Sequence, residues 1–263
     1  MKIKDVIDAL DGFAPLPLQE DFDNAGLQVG LTEAEVSGAL LCLEATEQIV
    51  DEAVEKGCNL IVTHHPLIFH KLRQVSDTDY VQRTVMKAIR HDITIVSMHT
   101  NLDSAEGGVN YMIARRLGAD MQSVKLLGEH EVNGIMGGLG IVCQLPEAMG
   151  AADFIDKVKE TFGVKVAMTN ELLQRPVKRV AICGGAGSFM LPQAVEAQAD
   201  AFLTGEMHYH EYFGHEQEIQ IVVIGHYESE QYTINLLEEI IKAKCPEVRT
   251  CMTELVTNPI IVR

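Results

Sequence analysis

Short apolar runs alternate along the chain with longer segments in which apolar residues recur at helical spacing. The apolar runs predict buried strands over Ala39–Leu43, Leu60–Thr63, Ile93–Ser97, Gly138–Leu145, Arg179–Cys183, Ala201–Thr204 and Ile219–Ile224. The helical spacing predicts helices over Glu47–Lys56, Tyr80–His91, Gly108–Leu117, Ala152–Phe162, Leu191–Gln198 and Glu230–Ala243. This alternation is typical of an α/β fold in which helices cover mixed or mostly parallel sheets.

Residues at the ends of these segments support the same interpretation. Thr46 is placed to cap the helix that begins at Glu47, and Gly57 is placed to end it. The first residues, MKIKDVIDALDGF, have acidic side chains within an amphipathic helical pattern, which excludes the apolar core of a signal peptide. The Gly-rich stretch 129–145 lacks a helical period and predicts a β-ribbon or edge strands that join two halves of the chain.

The two halves share a sequence pattern. Residues 54–63 (VEKGCNLIVT) resemble residues 195–204 (VEAQADAFLT), so the offset is 195 − 54 = 141. We interpret this as an internal pseudo-repeat that divides a single domain, residues 1–263, into similar lobes of about 1–128 and 129–263. The repeat predicts that a site lies between the lobes.

Composition and charge restrict the classes of partner. Asp and Glu total 38 against 21 Lys and Arg, which gives a formal net charge of -17. Such a chain repels nucleic-acid backbones and anionic lipid, and no basic stripe offsets the repulsion. No apolar run approaches the ~18 residues that a membrane span needs. The six cysteines are scattered and form no C-x-x-C pair. We therefore expect a cytoplasmic protein with reduced thiols that binds neither nucleic acid nor membrane.

Three groups of metal-ligating residues each follow a predicted strand. They are the pair His64 and His65, the pair His99 and Asp103, and the pair His226 and Glu230. Open parallel sheets bind ligands beyond the carboxyl ends of their strands, where these residues are expected. Together His64, His65, Asp103, His226 and Glu230 offer nitrogen and oxygen ligands that suit Zn, Fe, Mn or Ni rather than Mg or Ca.

Each group also has a purely structural interpretation. His64 and His65 could be polar loop residues, and Asp103 could cap the helix that begins near Gly108. Glu230 could complement the dipole of a helix that it opens. His99 suits either a direct ligand or a residue that orients one. The occurrence of all three groups at equivalent strand ends favours metal binding, with Glu230 shared by two ions.

Two further segments contain candidate functional residues. In Thr204–Glu211, three residues, Glu206, His208 and His210, are candidates for proton transfer or substrate contact near the metals. They could equally be exposed polar side chains. The glycine-rich turn at residues 184–188 resembles a phosphate-binding turn but lacks the lysine of a P-loop.

Several motifs in their order along the chain resemble the Nif-three-like family, whose members are labelled GTP cyclohydrolase I type 2 homologues. The motifs are DNAGLQVG at 23–30, THHPLIF at 63–69, NLDSAEGGVN at 101–110, CGGAG at 183–187, TGEMHYHE at 204–211 and GHYESE at 225–230. The length is similar to the short form of the family, which lacks an inserted middle domain.

The resemblance implies a two-lobed α/β fold and a dinuclear metal site. Its ligands would be His64, His65, Asp103, His226 and a bridging Glu230. It also implies a toroidal homohexamer, and the family label suggests a small-molecule substrate such as a nucleotide.

The residues and the resemblance together favour a metal-dependent hydrolase that activates water on a C–N or phosphoester centre. In this hypothesis Glu206 and His208 are catalytic, and His99 and His210 surround the ligands. One alternative is a metal-binding scaffold or metal-trafficking protein without catalysis. Another is a regulatory protein that binds a nucleotide through the turn at residues 184–188.

Overall fold

The computed structural model describes residues 1–263. The α-helices are α1 Ile3–Asp11, α2 Glu47–Glu55, α3 Tyr80–Arg90, α4 Thr100–Ser104, α5 Val109–Leu117, α6 Ala151–Phe162, α7 Leu191–Glu196, α8 His226–Glu230 and α9 Thr233–Lys244. The strands are β1 Gly26–Val29, β2 Ala39–Cys42, β3 Leu60–Thr63, β4 Thr94–Ser97, β5 Asp120–Val132, β6 Ile135–Met149, β7 Met168–Thr169, β8 Val177–Cys183, β9 Ala201–Thr204, β10 Gln220–Val223 and β11 Thr250–Met252. Short 3₁₀ turns occupy Leu16–Leu18, Ser188–Met190 and Tyr209–Tyr212.

The predicted α/β fold with two helix-covered sheets is confirmed. All seven predicted strands are present, and the Gly-rich stretch lies in the long antiparallel pair β5 and β6. Thr46 caps α2, because its side chain accepts a hydrogen bond from the backbone N–H of Ile49 at 3.3 Å. Gly57 follows the end of α2 in the left-handed conformation, with φ +64°.

The segment after β10 differs from its prediction. A helix beginning at Glu230 was expected, but α8 begins at His226 and ends at Glu230, and α9 begins at Thr233. Gly225 precedes α8 with φ +104°, a conformation that disfavours side chains with a Cβ, and it lets the helix start directly after the strand. His226 and Glu230 therefore share a single helical turn.

The chain forms two compact units, of which the first comprises residues 1–102 and 233–263. Its sheet has the order β1-β4-β3-β2-β11, in which only β1 runs antiparallel to its neighbour. Buried aliphatic residues of β2, β3 and β4 pack against α2 and α3. The register pairs Cys42 with Thr63 and Thr63 with Ser97, which brings the residues after β2, β3 and β4 to the same edge.

The second unit comprises residues 103–232 and has the order β5-β6-β8-β9-β10-β7. Strands β8, β9 and β10 are parallel, and the remaining pairings are antiparallel. The register aligns Cys183, Thr204 and Val223, so the residues that follow these strands share one edge. The predicted lobes of about 1–128 and 129–263 rest on the sequence repeat and stay a prediction. The compact units differ from these lobes in that residues 233–263 belong to the first unit, where β11 pairs with β2.

The helices of the structure include none with the length and apolar character that crossing a membrane requires. All six cysteines are free thiols, and all but Cys251 are buried. This agrees with their prediction as small apolar residues of the core.

Candidate metal centre

In the first unit, His64 leaves the end of β3 and is fully buried. Its Nδ1 lies 2.7 Å from the main-chain oxygen of Met98. A carbonyl oxygen can only accept, so Nδ1 carries the proton and Nε2 is the nitrogen with the lone pair. The hydroxyl of Ser97 donates to the main-chain oxygen of His64 at 2.7 Å, which fixes the backbone at this strand end.

His65 and His99 are held in the same manner. Nδ1 of His65 lies 2.5 Å from Oε1 of Glu44, and Nδ1 of His99 lies 2.7 Å from Oδ1 of Asp23. The ring centroids of His64 and His65 are 4.7 Å apart, and His99 lies 5.4 Å and 5.3 Å from them. Partners of this kind fix the tautomer of metal-binding histidines and leave Nε2 for the ion.

The carboxylate of Asp23 is anchored firmly enough to stay ionised. Burial by itself raises the pKa of Asp23, but hydrogen bonds from His99 and Thr100 outweigh it, and the pKa falls from 3.8 to about 2. The backbone N–H of Thr100 also donates to Asp23 Oδ2 at 3.1 Å. A permanent negative charge therefore lies behind His99.

In the second unit, His226 lies between two carboxylates. Its Nε2 is 3.1 Å from Oε2 of Glu230, and its Nδ1 is 3.2 Å from Oε1 of Glu206. Glu230 is only 4% exposed, whereas the side chain of Glu206 is 52% exposed. A buried carboxylate beside an imidazole is the kind of group that a cation stabilises, since an isolated buried charge is costly.

The glycine-rich turn after β8 packs around Glu230. Gly185 has φ +58°, and a Cβ placed on it would overlap Oε1 of Glu230. The backbone N–H of Gly185 donates to Oγ of Ser229 at 3.0 Å, which ties the turn to α8. The space that a Cβ would fill is left to the Glu230 carboxylate, so the turn serves as a cradle for that candidate ligand.

Asp103 lies in α4 and does not cap the next helix, because the N-cap of α5 is Gly108. Burial raises the pKa of the Cys183 thiol, and the negative charges of Asp103 and Glu230 raise it further. Both carboxylates therefore act on one buried thiol. Asn110 links this region to the glycine-rich turn, since its Nδ2 donates to the main-chain oxygen of Asp103 and its Oδ1 accepts from Gly184.

The ligand atoms of His64, His65 and Glu230 all lie within 4.8 Å of one another. This group can hold a metal ion with two nitrogens and one oxygen, a donor set typical of transition metals and zinc. The orientation of each imidazole through Nδ1 and the glycine cradle around Glu230 both fit such an ion. Asp103 and His226 are not members of this three-residue group.

The other predicted residues occupy more open positions. The side chain of His208 is 93% exposed, and its Nδ1 is 3.4 Å from Oε2 of Glu211. His210 is exposed as well, with its ring centroid 5.1 Å from that of Tyr209. Of the three candidates in this segment, Glu206 alone contacts a predicted metal ligand, His226.

Sequence reasoning did not assign Glu44, Asp23 and Asn110 to the site. Glu44 lies just beyond the end of β2, so the same strand-end argument that selected His64 could have found it. Asp23 belongs to the DNAGLQVG motif but follows no strand. No local pattern points to its contact with His99, 76 residues away in sequence.

Comparisons with known proteins agree with this fold. The family model described as Duf34/NIF3 (NGG1p interacting factor 3) matches residues 1–259. A protein of Clostridium acetobutylicum named GTP cyclohydrolase 1 type 2 homolog is 34% identical over 232 residues, which cover 88% of this chain and 85% of the relative. A relative of the same name from Clostridium perfringens is 34% identical over 245 residues, which cover 93% of this chain and 92% of the relative.

Solved structures show the same fold. The crystal structure of the Staphylococcus aureus hypothetical protein SA1388 superposes with a TM-score of 0.89 at 27% identity. The superposition covers 100% of this chain and 99% of the SA1388 chain. A Bacillus cereus protein related to NIF3 superposes with a TM-score of 0.86 at 24% identity and the same coverage. Because the family model spans nearly the whole sequence, the chain belongs to the Duf34/NIF3 family.

Proposed function

We propose that this protein is a metal-dependent hydrolase that holds two divalent ions with His64, His65, Asp103, His226 and Glu230. The observation that carries the proposal is the group formed by His64, His65 and Glu230, whose ligand atoms lie within 4.8 Å of one another. Asp103 and His226 complete the set as further ligands, and Glu230 is the bridging ligand.

The donor set indicates the class of ion. Three imidazoles and two carboxylates favour Fe, Zn, Mn or Ni over Mg or Ca, which prefer oxygen ligands alone. Divalent ions of this class, when bound, polarise an acceptor oxygen and lower the pKa of a coordinated water. Glu44, Asp23 and the main-chain oxygen of Met98 keep the neighbouring imidazoles oriented.

The chain offers residues for proton transfer beside the ligands. We assign Glu206 as the general base, because its carboxylate is half exposed and lies next to His226 without belonging to the three-residue group. His208 would protonate the leaving group, since its exposed imidazole is free to approach a substrate from solvent. His99 and His210 would orient ligands or substrate around these residues.

The substrate that we propose contains a C–N or phosphoester centre in a nucleotide-like molecule. Relatives at 34% identity bear the name GTP cyclohydrolase 1 type 2 homolog, which supports a nucleotide substrate. We also propose that the chain assembles into a homohexamer, as the family resemblance implies. The alternative, a metal-binding scaffold or metal-trafficking protein, predicts a loaded site that turns nothing over.

One experiment tests the proposal directly. The protein is loaded separately with Fe²⁺, Zn²⁺, Mn²⁺ and Ni²⁺, and its metal content per chain is measured by elemental analysis. Each loaded form is incubated with nucleotides and a metabolite extract, and hydrolysis is followed by mass spectrometry. We expect two ions per chain and a water-dependent product with at least one metal. Loading without any turnover would support the scaffold, and failure to load any metal would refute both functions.

A further inference from the structure

The first unit contains a cavity of about 720 Å³ that the metal-binding hypothesis leaves unused. It lies between the segment that follows His65 and the start of α3. Its wall includes Phe69, His70, Lys71, Arg73, Asp79 and Tyr80. The volume falls in the range of about 300–1,000 Å³ that is usual for small-molecule sites.

One wall of this cavity is basic. His70, Lys71 and Arg73 are all exposed, and neither Lys71 nor Arg73 makes an ion pair or hydrogen bond within the chain. Lysines elsewhere do find acidic partners, as Lys87 does with Asp51 at 2.5 Å. In a chain with 38 acidic and 21 basic residues, two neighbouring cations without acidic partners form a local site for an anion.

The acidic residue in the wall does not cancel these charges. Asp79 caps α3, with its Oδ1 accepting from the backbone N–H of Gln82 at 2.9 Å and its Oδ2 from the Gln82 side chain at 2.6 Å. These hydrogen bonds lower the pKa of Asp79. Its charge is directed at the helix N-terminus, whose positive dipole end compensates it.

The cavity also has an aromatic wall. Tyr80 is 57% exposed and Phe69 is 39% exposed, so both rings present apolar faces beside the basic residues. Exposed rings of this kind stack with planar heterocycles, as aromatic side chains do with bases in nucleic-acid complexes. A ligand with a planar ring and an anionic group would use both walls.

The cavity adjoins the residues that hold the candidate metal ligands. Pro66 and Leu67 line it and directly follow His65. The ring of Phe69 lies 6.1 Å from that of His99. Burial raises the pKa of Tyr80, and the negative charge of Glu44, the partner of His65, raises it further. A ligand in the cavity would therefore reach toward the first-unit histidines.

We propose that this cavity binds the phosphate groups of a nucleotide-like ligand, with Lys71 and Arg73 as the phosphate-binding residues and Tyr80 as a stacking surface for the ring. That the ligand is the substrate rests on the proposed function. Binding itself needs no metal, because every residue assigned to it lies outside the ligand set. His70 adds a further hydrogen-bond donor to the same wall.

The test uses the full chain freed of metal by a chelator and then dialysed into chelator-free buffer. Isothermal titration calorimetry measures binding of GTP, inorganic triphosphate and guanosine to the wild type and to the double variant Lys71→Gln/Arg73→Gln. The matched control is Lys165→Gln/Lys178→Gln, which also removes two exposed positive charges but none from the cavity. Circular dichroism verifies the fold of each variant.

We expect the wild type and the control to bind GTP with the same affinity. The double variant should bind GTP at least about tenfold more weakly, because it lacks the charge-assisted contacts. The double variant should also bind triphosphate more weakly than the wild type does, whereas the two should bind guanosine equally. Tyr80→Ala should weaken the binding of GTP but not the binding of triphosphate. No binding of GTP to the wild type, or equal binding by the double variant, would overturn the proposal. Equal affinities for GTP and triphosphate would overturn the stacking role of Tyr80.

The two proposals fail separately in this design. The double variant should load metal to the wild-type level, because it changes no candidate ligand. A metal-deficient Glu230→Gln protein should still bind triphosphate. Metal loading without phosphate binding would overturn only the cavity proposal, and phosphate binding without metal loading would overturn only the hydrolase.

Discussion

Nδ1 of His226 lies 3.2 Å from Oε1 of Glu206, so the residue that we assign as general base also holds a candidate metal ligand. The opposite nitrogen of the same ring lies 3.1 Å from Glu230. The imidazole is thus fixed from both sides by carboxylates, one from the proposed general base and one from the proposed bridging ligand. We expect a change at Glu206 to affect turnover and a change at Glu230 to affect metal content.

Glu206→Ala should keep the metal but lose activity. We expect metal content at saturation to match the wild type and turnover to fall by about 10²-fold or more, in line with typical general acid–base contributions. Elemental analysis and single-substrate kinetics measure the two quantities. Glu171→Ala, which removes an exposed carboxylate that makes no ion pair or side-chain hydrogen bond, is the control.

A different outcome would reassign Glu206. If the variant keeps full turnover and its metal affinity falls by about 10- to 100-fold, the residue acts only by positioning His226. If neither quantity changes, Glu206 has no role at the site.

Glu230→Gln should lose more metal than either His64→Ala or His65→Ala. A bridging carboxylate serves both ions, and removing its charge leaves two dications poorly screened from each other. Metal content per chain measures the effect, and circular dichroism verifies the fold. Glu228→Gln, on the same helical turn, is the control and should retain its metal. Equal losses in the three ligand variants would argue against bridging.

Gly185→Ala should destabilise the protein and weaken metal binding together. The added Cβ would overlap the Glu230 carboxylate, and the left-handed backbone at φ +58° adds a cost of about 1–2 kcal/mol. Denaturant unfolding and metal titration measure the two effects. In Gly163→Ala the backbone is equally left-handed at φ +66°, but no atom lies within 4 Å of the new Cβ. That control should lose only the stability that the left-handed backbone costs. If Gly185→Ala is no less stable and binds metal no more weakly than this control, the turn is not a cradle for Glu230.

Asp23 should make the stability of the protein sensitive to acid. Its pKa is about 2 in the folded chain against an ordinary value of 3.8, so the folded state favours the ionised form. The resulting stabilisation, about 2 kcal/mol, is fully present above pH ~4 and disappears as the pH falls through about 2. Asp23→Asn should therefore be less stable than the wild type at pH 6, with a smaller difference at pH 3. Urea unfolding at both pH values measures the difference, and a constant gap would refute the assignment.

Most strands and helices, and the positions of the candidate ligands at their ends, follow from local patterns in the amino-acid sequence. Strands β2, β3, β4, β6 and β8 to β10 could be predicted because an apolar run is a local property of a segment. His64, His99 and His226 were found by the same reasoning, since each follows such a run. The short strands β1, β7 and β11 have no comparable pattern, because their partners rather than their own residues stabilise them.

Contacts between residues that are distant in sequence depend on the folded chain. The contacts of Glu44 with His65, of Asp23 with His99 and of Glu206 with His226 join segments that no periodicity links. The return of β11 to β2 and the approach of Gly185 to Glu230 are of the same kind. Local propensity specifies an element through near neighbours in sequence, whereas these contacts depend on strand register and packing across the whole chain. The candidate ligands could therefore be found from the sequence, but their contacts with the residues that hold them in place could not.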